Sequence, residues 1–493
     1  MTIIDDYLNE QQKYEKKYGK STIVLMQVGH FYEAYGVDNE KENTNSENMK
    51  NLADIMNIQM TRKNKSISDN SRGNPLMIGV NIYSIDKYIQ ILLNANYTIV
   101  LISQISDPPY VKREVTNIYS PGTNIEYSIK GNTNNLVSIY IEQVKQNDGN
   151  QIIFIGASSV DLSIGKNNIF EINSKINDKN YALDELFRFI QVYDPKELIL
   201  IKKNLNMSND KLSNYLELNN RIVHYKDYDE LNIQYFNINY QRQFLEKIFK
   251  NHGLLSVIEY LDLERTNFGL ISYIFLLDFA YEHNPNIIQK IDKPEIWNIE
   301  KYLILANNTI NQLNLVDHQT QQINCKYSSL FSVLNNTSTN IGKRYLRDNL
   351  LNPILNIEEL NKRYSIIESL ITNNLFKSYD EYLCKISDLE RLHRKLSLNL
   401  LHPAHFSSLD ISYDNVFKLL EIENPIIESL KPCDKDISKF RMFIDTYRNH
   451  FDLNEIVKYH IDKISNSFFK KGVCDKIDSM QHTINNTKKN LVK

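Results

Sequence analysis

A short stretch near the start of the chain combines side chains that could open and inspect a base-paired duplex. A mostly apolar run at residues 23–28 ends at Gly29, and Phe31, Tyr32 and Glu33 follow after one histidine. Bases are hidden inside the duplex stack, so a protein that inspects pairing needs an aromatic wedge and a polar group that tests the disturbed base. Because side chains two residues apart on an extended segment share a face, Phe31 and Glu33 are expected to project together.

This stretch resembles the Gly-x-Phe-Tyr-Glu signature of the MutS family of mismatch-recognition proteins. Further similar segments follow in the family's order along nearly the whole chain, and such a series is far more specific than one short motif. They are Arg62-Lys63, Met77-Ile78-Gly79-Val80, Ser84-Ile85-Asp86-Lys87-Tyr88, Gln104-Ile105-Ser106-Asp107-Pro108, Ser120-Pro121-Gly122-Thr123, Ser329-Leu330-Phe331-Ser332-Val333-Leu334, Gly342-Lys343-Arg344-Tyr345-Leu346-Arg347 and Asp388-Leu389-Glu390-Arg391-Leu392. The sequence around Phe31 most resembles the giant-virus and octocoral mitochondrial branch, and the abundant Asn, Ile and Lys fit an AT-rich genome.

The resemblance implies a wedge and a probe for mismatched double-stranded DNA. Phe31 would stack on one base of the mispair and push it towards the minor groove, and Glu33 would hydrogen-bond the displaced base. Mispaired steps unstack at a lower free-energy cost than paired ones, and that difference would supply the discrimination. Tyr32 and Gly29 of the same motif and the basic pair Arg62-Lys63 complete the predicted DNA-binding set. Without the resemblance, the pattern is typical of a buried core aromatic beside a solvated acid.

The composition sets limits on size, charge and compartment. A chain of 493 residues is too long for one core, and two to four domains are expected. With a net charge of −3, the chain as a whole is not attracted to nucleic acid. DNA affinity must therefore come from local groups such as Arg62, Lys63 and Lys65. Four cysteines without paired spacing, no secretory signal and no long apolar run predict a soluble intracellular protein of the cytoplasm or a viral factory. A mitochondrial location is the alternative.

The expected fold class is multidomain α/β plus all-α. Residues 1–125 mix short strands and helices and are predicted to form the mismatch-recognition domain. Residues 126–245 show three antiparallel strands, a helix and a further strand, which is the RNase H-like pattern of the family's connector. From residue 246 glycines nearly vanish, helical leucine stripes take over, and residues 246–493 are predicted to be an incomplete helical core, or lever, domain.

Three other patterns are interpreted as structural. Gly19-Lys20-Ser21-Thr22 resembles the end of a P-loop, but a helix precedes it and a strand follows, so a turn is predicted. Acids scattered over strands and helix starts predict caps and surface rather than a nuclease (Asp161, Glu171, Asp184 and Asp194). His402 and His405 have no third ligand nearby in sequence. No catalytic residue, metal or cofactor is therefore expected in these residues.

The final predicted helix runs from about Asp475 to Lys493 without a C-cap residue, which suggests that the chain ends inside a longer architecture. The clamp and ATPase domains are then expected to be absent. ATP and Mg²⁺, and most of the dimerisation, would belong to the ATPase domain of a full-length relative. These residues would be monomeric, bind a mismatch no more tightly than micromolar, and contact downstream repair proteins through the connector. The alternative is a non-reading interaction scaffold whose connector and core bind repair or replication partners.

Overall fold

A computed structural model describes residues 2–106, 109–125, 133–147, 150–219, 221–305, 308–317, 327–423, 428, 431–458 and 466–492. The described residues up to Asn298 form one compact unit, and those from Ile299 onwards form a second. The first unit contains two β-sheets with helices, and the second is built of helices. The predicted combination of α/β and helical parts is confirmed at this level. No helix in the described part of the chain has the length and apolarity to cross a membrane.

The first sheet of the first unit has seven strands in the order β4-β5-β2-β1-β6-β7, with β3 paired to β2. They are β1 (Thr22–Val28), β2 (Phe31–Asp38), β3 (Asn43–Thr44), β4 (Thr61–Arg62), β5 (Leu76–Asn81), β6 (Thr98–Gln104) and β7 (Arg113–Tyr119). Helix α1 (Ile3–Tyr18) packs on the face that carries Tyr35, where the Tyr7 hydroxyl donates to the Val24 carbonyl over 3.0 Å. Helices α2 (Ser46–Met56) and α3 (Ile85–Asn94) pack on the opposite face.

The second sheet has six strands in the order β12-β11-β8-β9-β10-β13. Its elements, with the helices between them, are β8 (Asn135–Lys145), β9 (Gln151–Asp161), β10 (Lys166–Asn173), α4 (Tyr181–Tyr193), β11 (Glu197–Lys203), α5 (Asn209–Tyr215), β12 (Ile222–Asp227), α6 (Ile238–Ile248), α7 (Val257–Tyr260), α8 (Asn267–His283) and β13 (Glu295–Ile296). Strands β8, β9 and β10 form an antiparallel meander, and β11 is parallel to β8. The predicted succession of three antiparallel strands, a helix and a further strand is therefore present.

The predicted start of the helical core at residue 246 differs from the structure. That position lies inside α6, and the next long helix, α8, packs on β8 and β9 of the second sheet. A Cβ atom at Gly156 would lie 1.9 Å from the Phe268 carbonyl oxygen, so only glycine allows this approach. Ser272 on α8 donates to the Ser138 carbonyl of β8 over 2.8 Å. The first unit therefore extends to Asn298, whereas the predicted boundary at 125/126 adjoins residues outside the described part.

The second unit contains the helices α9 (Thr309–Gln312), α10 (Leu330–Leu334), α11 (Asn340–Leu351), α12 (Ile357–Thr372), α13 (Phe376–Leu383), α14 (Leu389–Ser397), α15 (Pro403–Leu420), α16 (Asp434–His450), α17 (Leu453–Ile456) and α18 (Asp475–Val492). Its buried centre lies between α15 and α16, where Leu409, Tyr413, Ile444 and Tyr447 meet. The predicted leucine stripe of α14 packs against this cluster, as expected for a helical core.

Candidate nucleic-acid interface

The motif at residues 29–33 forms a tight hairpin at one end of the first sheet. Val28 of β1 pairs with Phe31 of β2, so only Gly29 and His30 lie in the loop. Gly29 has φ of 60°, a left-handed conformation that glycine adopts without steric cost and that two-residue hairpin turns require. The turn therefore places Phe31 at the very start of β2, at the edge of the fold.

Phe31 is the exposed member of an otherwise largely buried strand. Its side chain is 46% exposed, whereas Tyr32, Ala34 and Tyr35 on the same strand are buried. A phenylalanine that served only the core would lie among these buried neighbours. The interpretation of Phe31 as a buried core aromatic is therefore wrong, and the ring is free to meet a ligand.

Glu33 follows two residues later on the same face of the strand and is half-buried. Its side chain lies beside Gly79 of β5, where the Glu33 Cγ atom is 3.6 Å from the position that a Cβ atom would take. The Tyr35 hydroxyl donates a hydrogen bond to Oε2 of Glu33. Burial, reinforced by this bond, raises the pKa of Tyr35, so the phenol stays protonated and the carboxylate accepts.

Tyr32, predicted as part of the DNA-binding set, lies on the other face of β2. Its side chain is 7% exposed, and its hydroxyl lies 2.8 Å from the Ser103 Oγ of β6. Alternation along the strand explains the difference, because Phe31 and Glu33 can share a face only if Tyr32 points the opposite way. The structure therefore gives the Tyr32 side chain a place in the core and none at the surface.

The basic pair Arg62-Lys63 lies at the far end of the sheet from Phe31. Arg62 pairs with Leu76 at the start of β5, whereas Phe31 pairs with Asn81 at its end. The two positions are five residues apart along β5, which is about 16 Å, and they also lie two strands apart across the sheet. The Arg62 guanidinium donates to the Ser68 carbonyl, and Lys63 is exposed. The structure does not bring this pair to the wedge.

Two exposed aromatics that the sequence analysis missed lie at the same end of the sheet as Phe31. Tyr83 follows the end of β5 and is 91% exposed, and Tyr110 follows β6 and is 86% exposed. Because β1 lies between β6 and β2, and β2 lies between β1 and β5, the two tyrosines flank the hairpin turn. The available signal was their place in the segments that follow the apolar strands β5 and β6.

The segment Gly19-Lys20-Ser21-Thr22 forms a turn, as predicted. Helix α1 ends at Tyr18, the Gly19 N–H donates to the Glu15 carbonyl over 2.8 Å, and β1 begins at Thr22. Thr22 is buried. This order of helix, turn and strand is the reverse of a P-loop.

The four acids considered for a nuclease are separately engaged by their neighbours. Glu171 accepts from the Phe268 and Gly269 N–H groups, which cap α8. Asp161 accepts from the Ser163 and Asn134 N–H groups. Asp184 accepts from the Tyr215 hydroxyl, and Asp194 pairs with Arg221. Among the described residues, no three His, Cys, Asp or Glu side chains cluster in a way that could hold a metal ion. The hydrogen bonds and ion pair of these four acids therefore join neighbouring segments of the fold.

Comparison with known proteins places the hairpin inside a recognised domain. The family model described as MutS domain I matches residues 8–128, and the model described as MutS domain III matches residues 308–486. The chain is 36% identical over 514 residues to a protein of Acanthamoeba polyphaga mimivirus named as a DNA mismatch repair protein mutS homolog, covering 98% of this chain and 45% of the relative. This relative confirms the predicted likeness to the giant-virus branch.

Bacterial proteins named DNA mismatch repair protein MutS are similar as well. That of Caldanaerobacter subterraneus is 28% identical over 427 residues, covering 85% of this chain and 44% of the relative. That of Petrotoga mobilis is 25% identical over 496 residues, covering 98% of this chain and 52% of the relative. The chain therefore spans about half the length of the curated relatives it matches.

Proposed function

Because the chain belongs to the MutS family through its domains I and III, we propose that it recognises mismatched double-stranded DNA by inserting Phe31 at the mispair. The observation that carries the proposal is the exposure of Phe31 at the end of the first sheet, with a half-buried carboxylate two residues further on the same face. A half-exposed ring on a rigid strand suits a wedge, because the strand holds it while a base step opens.

The discrimination arises from the energy of deforming the DNA. Inserting a ring between base pairs costs unstacking energy, and a mispaired step has less stacking and pairing to lose. Glu33 then accepts a hydrogen bond from a donor on the displaced base. A carboxylate near phosphates is otherwise repelled, so its place beside Phe31 makes sense when a base supplies the donor.

The remaining groups at this sheet hold the duplex in place. Tyr83 and Tyr110 flank the turn and are proposed to contact the sugar and phosphate backbone on either side of the wedge. Arg62 and Lys63, about 16 Å away along β5, are proposed to contact phosphates at a distance from the mispair. Such contacts contribute affinity but carry no sequence information.

The relatives that this chain matches are about twice its length, and other partners and cofactors are assigned to the additional domains of such proteins. We propose that ATP and Mg²⁺ act through a domain outside these residues, which would also supply most of the dimerisation. The second sheet and its helices form the proposed RNase H-like connector, which would contact downstream repair proteins. These residues alone are proposed to be monomeric, to act inside the cell and to bind a mismatch no more tightly than micromolar, since the chain carries a net charge of −3.

The test compares Phe31→Ala with the parent on two duplexes that differ by one mispair, measured by fluorescence anisotropy. Loss of the stacking contact is expected to remove about 1–3 kcal/mol of mismatch preference. Phe376→Ala is the matched control, because Phe376 on α13 is also a half-exposed phenylalanine, at 48%, and lies in the second unit. Equal mismatch preference in parent and Phe31→Ala would refute the wedge and favour the non-reading scaffold.

A further inference from the structure

The carboxylate of Glu33 is held on one side only. Within the described part of the chain, its side chain makes one hydrogen bond, in which the Tyr35 hydroxyl donates to Oε2. Among the residues that the structure describes, no group donates to the second carboxylate oxygen, Oε1. Oε1 is not enclosed by the protein, so it reaches solvent on the face that Glu33 shares with Phe31. One oxygen is therefore anchored inside the fold, and the other is open to a ligand.

Tyr35 is itself rigidly fixed. Its side chain is 1% exposed, and its ring meets the ring of Tyr7 from α1 edge-on, with centroids 5.2 Å apart and planes 84° apart. The Asn45 side chain donates to the Tyr35 carbonyl over 2.8 Å and so holds the backbone of β2 at this point. The position of the Tyr35 hydroxyl is therefore fixed, and the Glu33 side chain adopts the rotamer that reaches it.

The direction of the hydrogen bond is set by the surroundings of the phenol. Burial raises the pKa of Tyr35, and the nearby Arg113 guanidinium, which donates to the Gln27 carbonyl over 2.9 Å, only partly offsets that effect. The phenol therefore keeps its proton throughout the physiological range and acts as the donor. Glu33 acts as the acceptor and keeps its lone pairs on Oε1 for a second donor.

We propose that Tyr35 is a positioning residue for mismatch discrimination, whose hydroxyl fixes the Glu33 carboxylate so that Oε1 is presented to the displaced base. This inference rests on the proposed function. A free glutamate side chain samples many rotamers and loses that freedom when it binds a base, whereas a tethered one has lost much of it already. Pre-organisation of this kind strengthens binding without a new contact to the ligand.

The test uses the full chain and the ratio of its affinities for mismatched and matched duplexes. Tyr35→Phe removes the hydroxyl alone, and the ratio is expected to fall by about tenfold, as for the loss of a hydrogen bond to a charged group. Tyr32→Phe is the matched control, since it removes a buried hydroxyl from the same strand on the opposite face, where it contacts Ser103. Its ratio is expected to stay within about twofold of the parent.

A double-mutant cycle separates positioning from a general effect on folding. In a Glu33→Ala background, Tyr35→Phe is expected to cause no further loss in the ratio, because the hydroxyl acts only through the carboxylate. The circular dichroism spectrum should be that of the parent in every variant, and the matched-duplex affinity should be that of the parent in Tyr32→Phe. An equal loss in both backgrounds would show that Tyr35 merely supports the fold and would overturn the inference.

Two further outcomes distinguish this inference from the proposed function. An unchanged or increased ratio in Tyr35→Phe, with Phe31→Ala still abolishing the preference, would overturn the role of Tyr35 and leave the wedge intact. An increase would mean that the hydroxyl sequesters the carboxylate rather than presenting it. A parent-like ratio in Phe31→Ala would refute the proposed function and the positioning role together.

Discussion

Two short segments that both resemble the family, residues 29–33 and residues 120–123, end in opposite surroundings. The first forms a turn at the end of a sheet and exposes Phe31. The second is enclosed at the junction of the two sheets, where Ser120 and Thr123 are buried. Both segments resemble the family, so the resemblance alone does not tell a ligand-binding residue from a structural one. Burial and hydrogen bonding make that distinction.

The enclosed segment is organised around Glu197 at the start of β11. The Glu197 carboxylate accepts from the Ser120 hydroxyl over 2.6 Å, from the Gly122 N–H over 2.9 Å and from the His224 Nε2 over 2.7 Å. Burial opposes ionisation, but the hydrogen bond and charge of His224 outweigh it and hold the pKa of Glu197 below its ordinary value. We call these four residues, Ser120, Gly122, Glu197 and His224, the junction cluster.

The largest expected effect is on stability, from Glu197→Ala in the junction cluster. The substitution leaves three buried groups without their acceptor, and the free energy of unfolding of the first unit should fall by about 3–5 kcal/mol. The single tryptophan, Trp297, lies in the first unit against Phe170 and Phe189, so its fluorescence during urea denaturation reports on this unit. The mismatch preference of the folded protein should not change.

Glu142→Ala is the matched control for that substitution. Glu142 lies on the same sheet and is partly exposed, where it accepts from the Tyr140 hydroxyl and pairs with Lys203 over 2.9 Å. Its removal should lower stability by a smaller amount, about 1–2 kcal/mol, because one hydroxyl donor and one partly solvated ion pair lose their partner. A similar loss in both variants would remove the distinction between the enclosed junction and an ordinary surface pair.

A second effect is the acid sensitivity of the same region. Burial lowers the pKa of His283 to about 4, and its neighbours include Glu197, His224, Glu282 and Tyr18. The unfolded chain binds a proton near pH 6.5 and the folded one does not, so stability is present at high pH and falls as pH decreases towards 4. Between about pH 8 and about pH 4.5 the loss from this group should be about 2.5 kcal/mol.

Urea denaturation monitored by Trp297 fluorescence across this range measures the slope. In His283→Gln the dependence of stability on pH should be flatter by about this amount, whatever the absolute stability of the variant. An unchanged slope would show that His283 is not the group responsible. Mismatch preference should show no comparable dependence on His283, since this residue contacts Tyr18 before the start of β1, whereas Phe31 follows the end of β1.

The smallest expected effect is that of Arg62→Ala at the edge of the first sheet. Both matched and mismatched affinities should fall by the same factor, and the slope of log affinity against log salt should decrease by about 0.9. Lys145→Ala on β8 of the second sheet is the control for losing one exposed positive charge. A selective loss of mismatch binding in Arg62→Ala would place Arg62 at the mispair, against the distance along β5.

The sequence predicted the local geometry of the exposed segment because that geometry depends on short-range rules. A glycine at a two-residue turn and alternation along a strand suffice to place Phe31 and Glu33 on one face. The same rule places Tyr32 on the other face, although the family motif had suggested that it belonged with them. The contact between Tyr35 and Glu33 could not be predicted, since it depends on which rotamer the glutamate adopts.

The boundary of the first unit at Asn298, unlike the predicted change of composition near residue 246, depends on long-range contacts. The apolar run of α8 shows almost no helical periodicity, so the sequence does not reveal what the helix packs against. Its buried residues lie all around its axis, as in a helix enclosed by other elements rather than one side of a bundle. The decisive contacts join α8 to strands more than a hundred residues earlier, at Ser138 and Gly156, and no local pattern reports them.

The most direct test of the reading role of Phe31 is the fluorescence of 2-aminopurine placed beside a mismatch, because unstacking this base increases its emission. Saturating amounts of the parent chain are expected to raise the emission on the mismatched duplex and to leave the matched duplex unchanged. At the same fractional saturation, Phe31→Ala is expected to give no rise. No rise with the parent, or an equal rise with Phe31→Ala, would contradict insertion of Phe31 at the mispair.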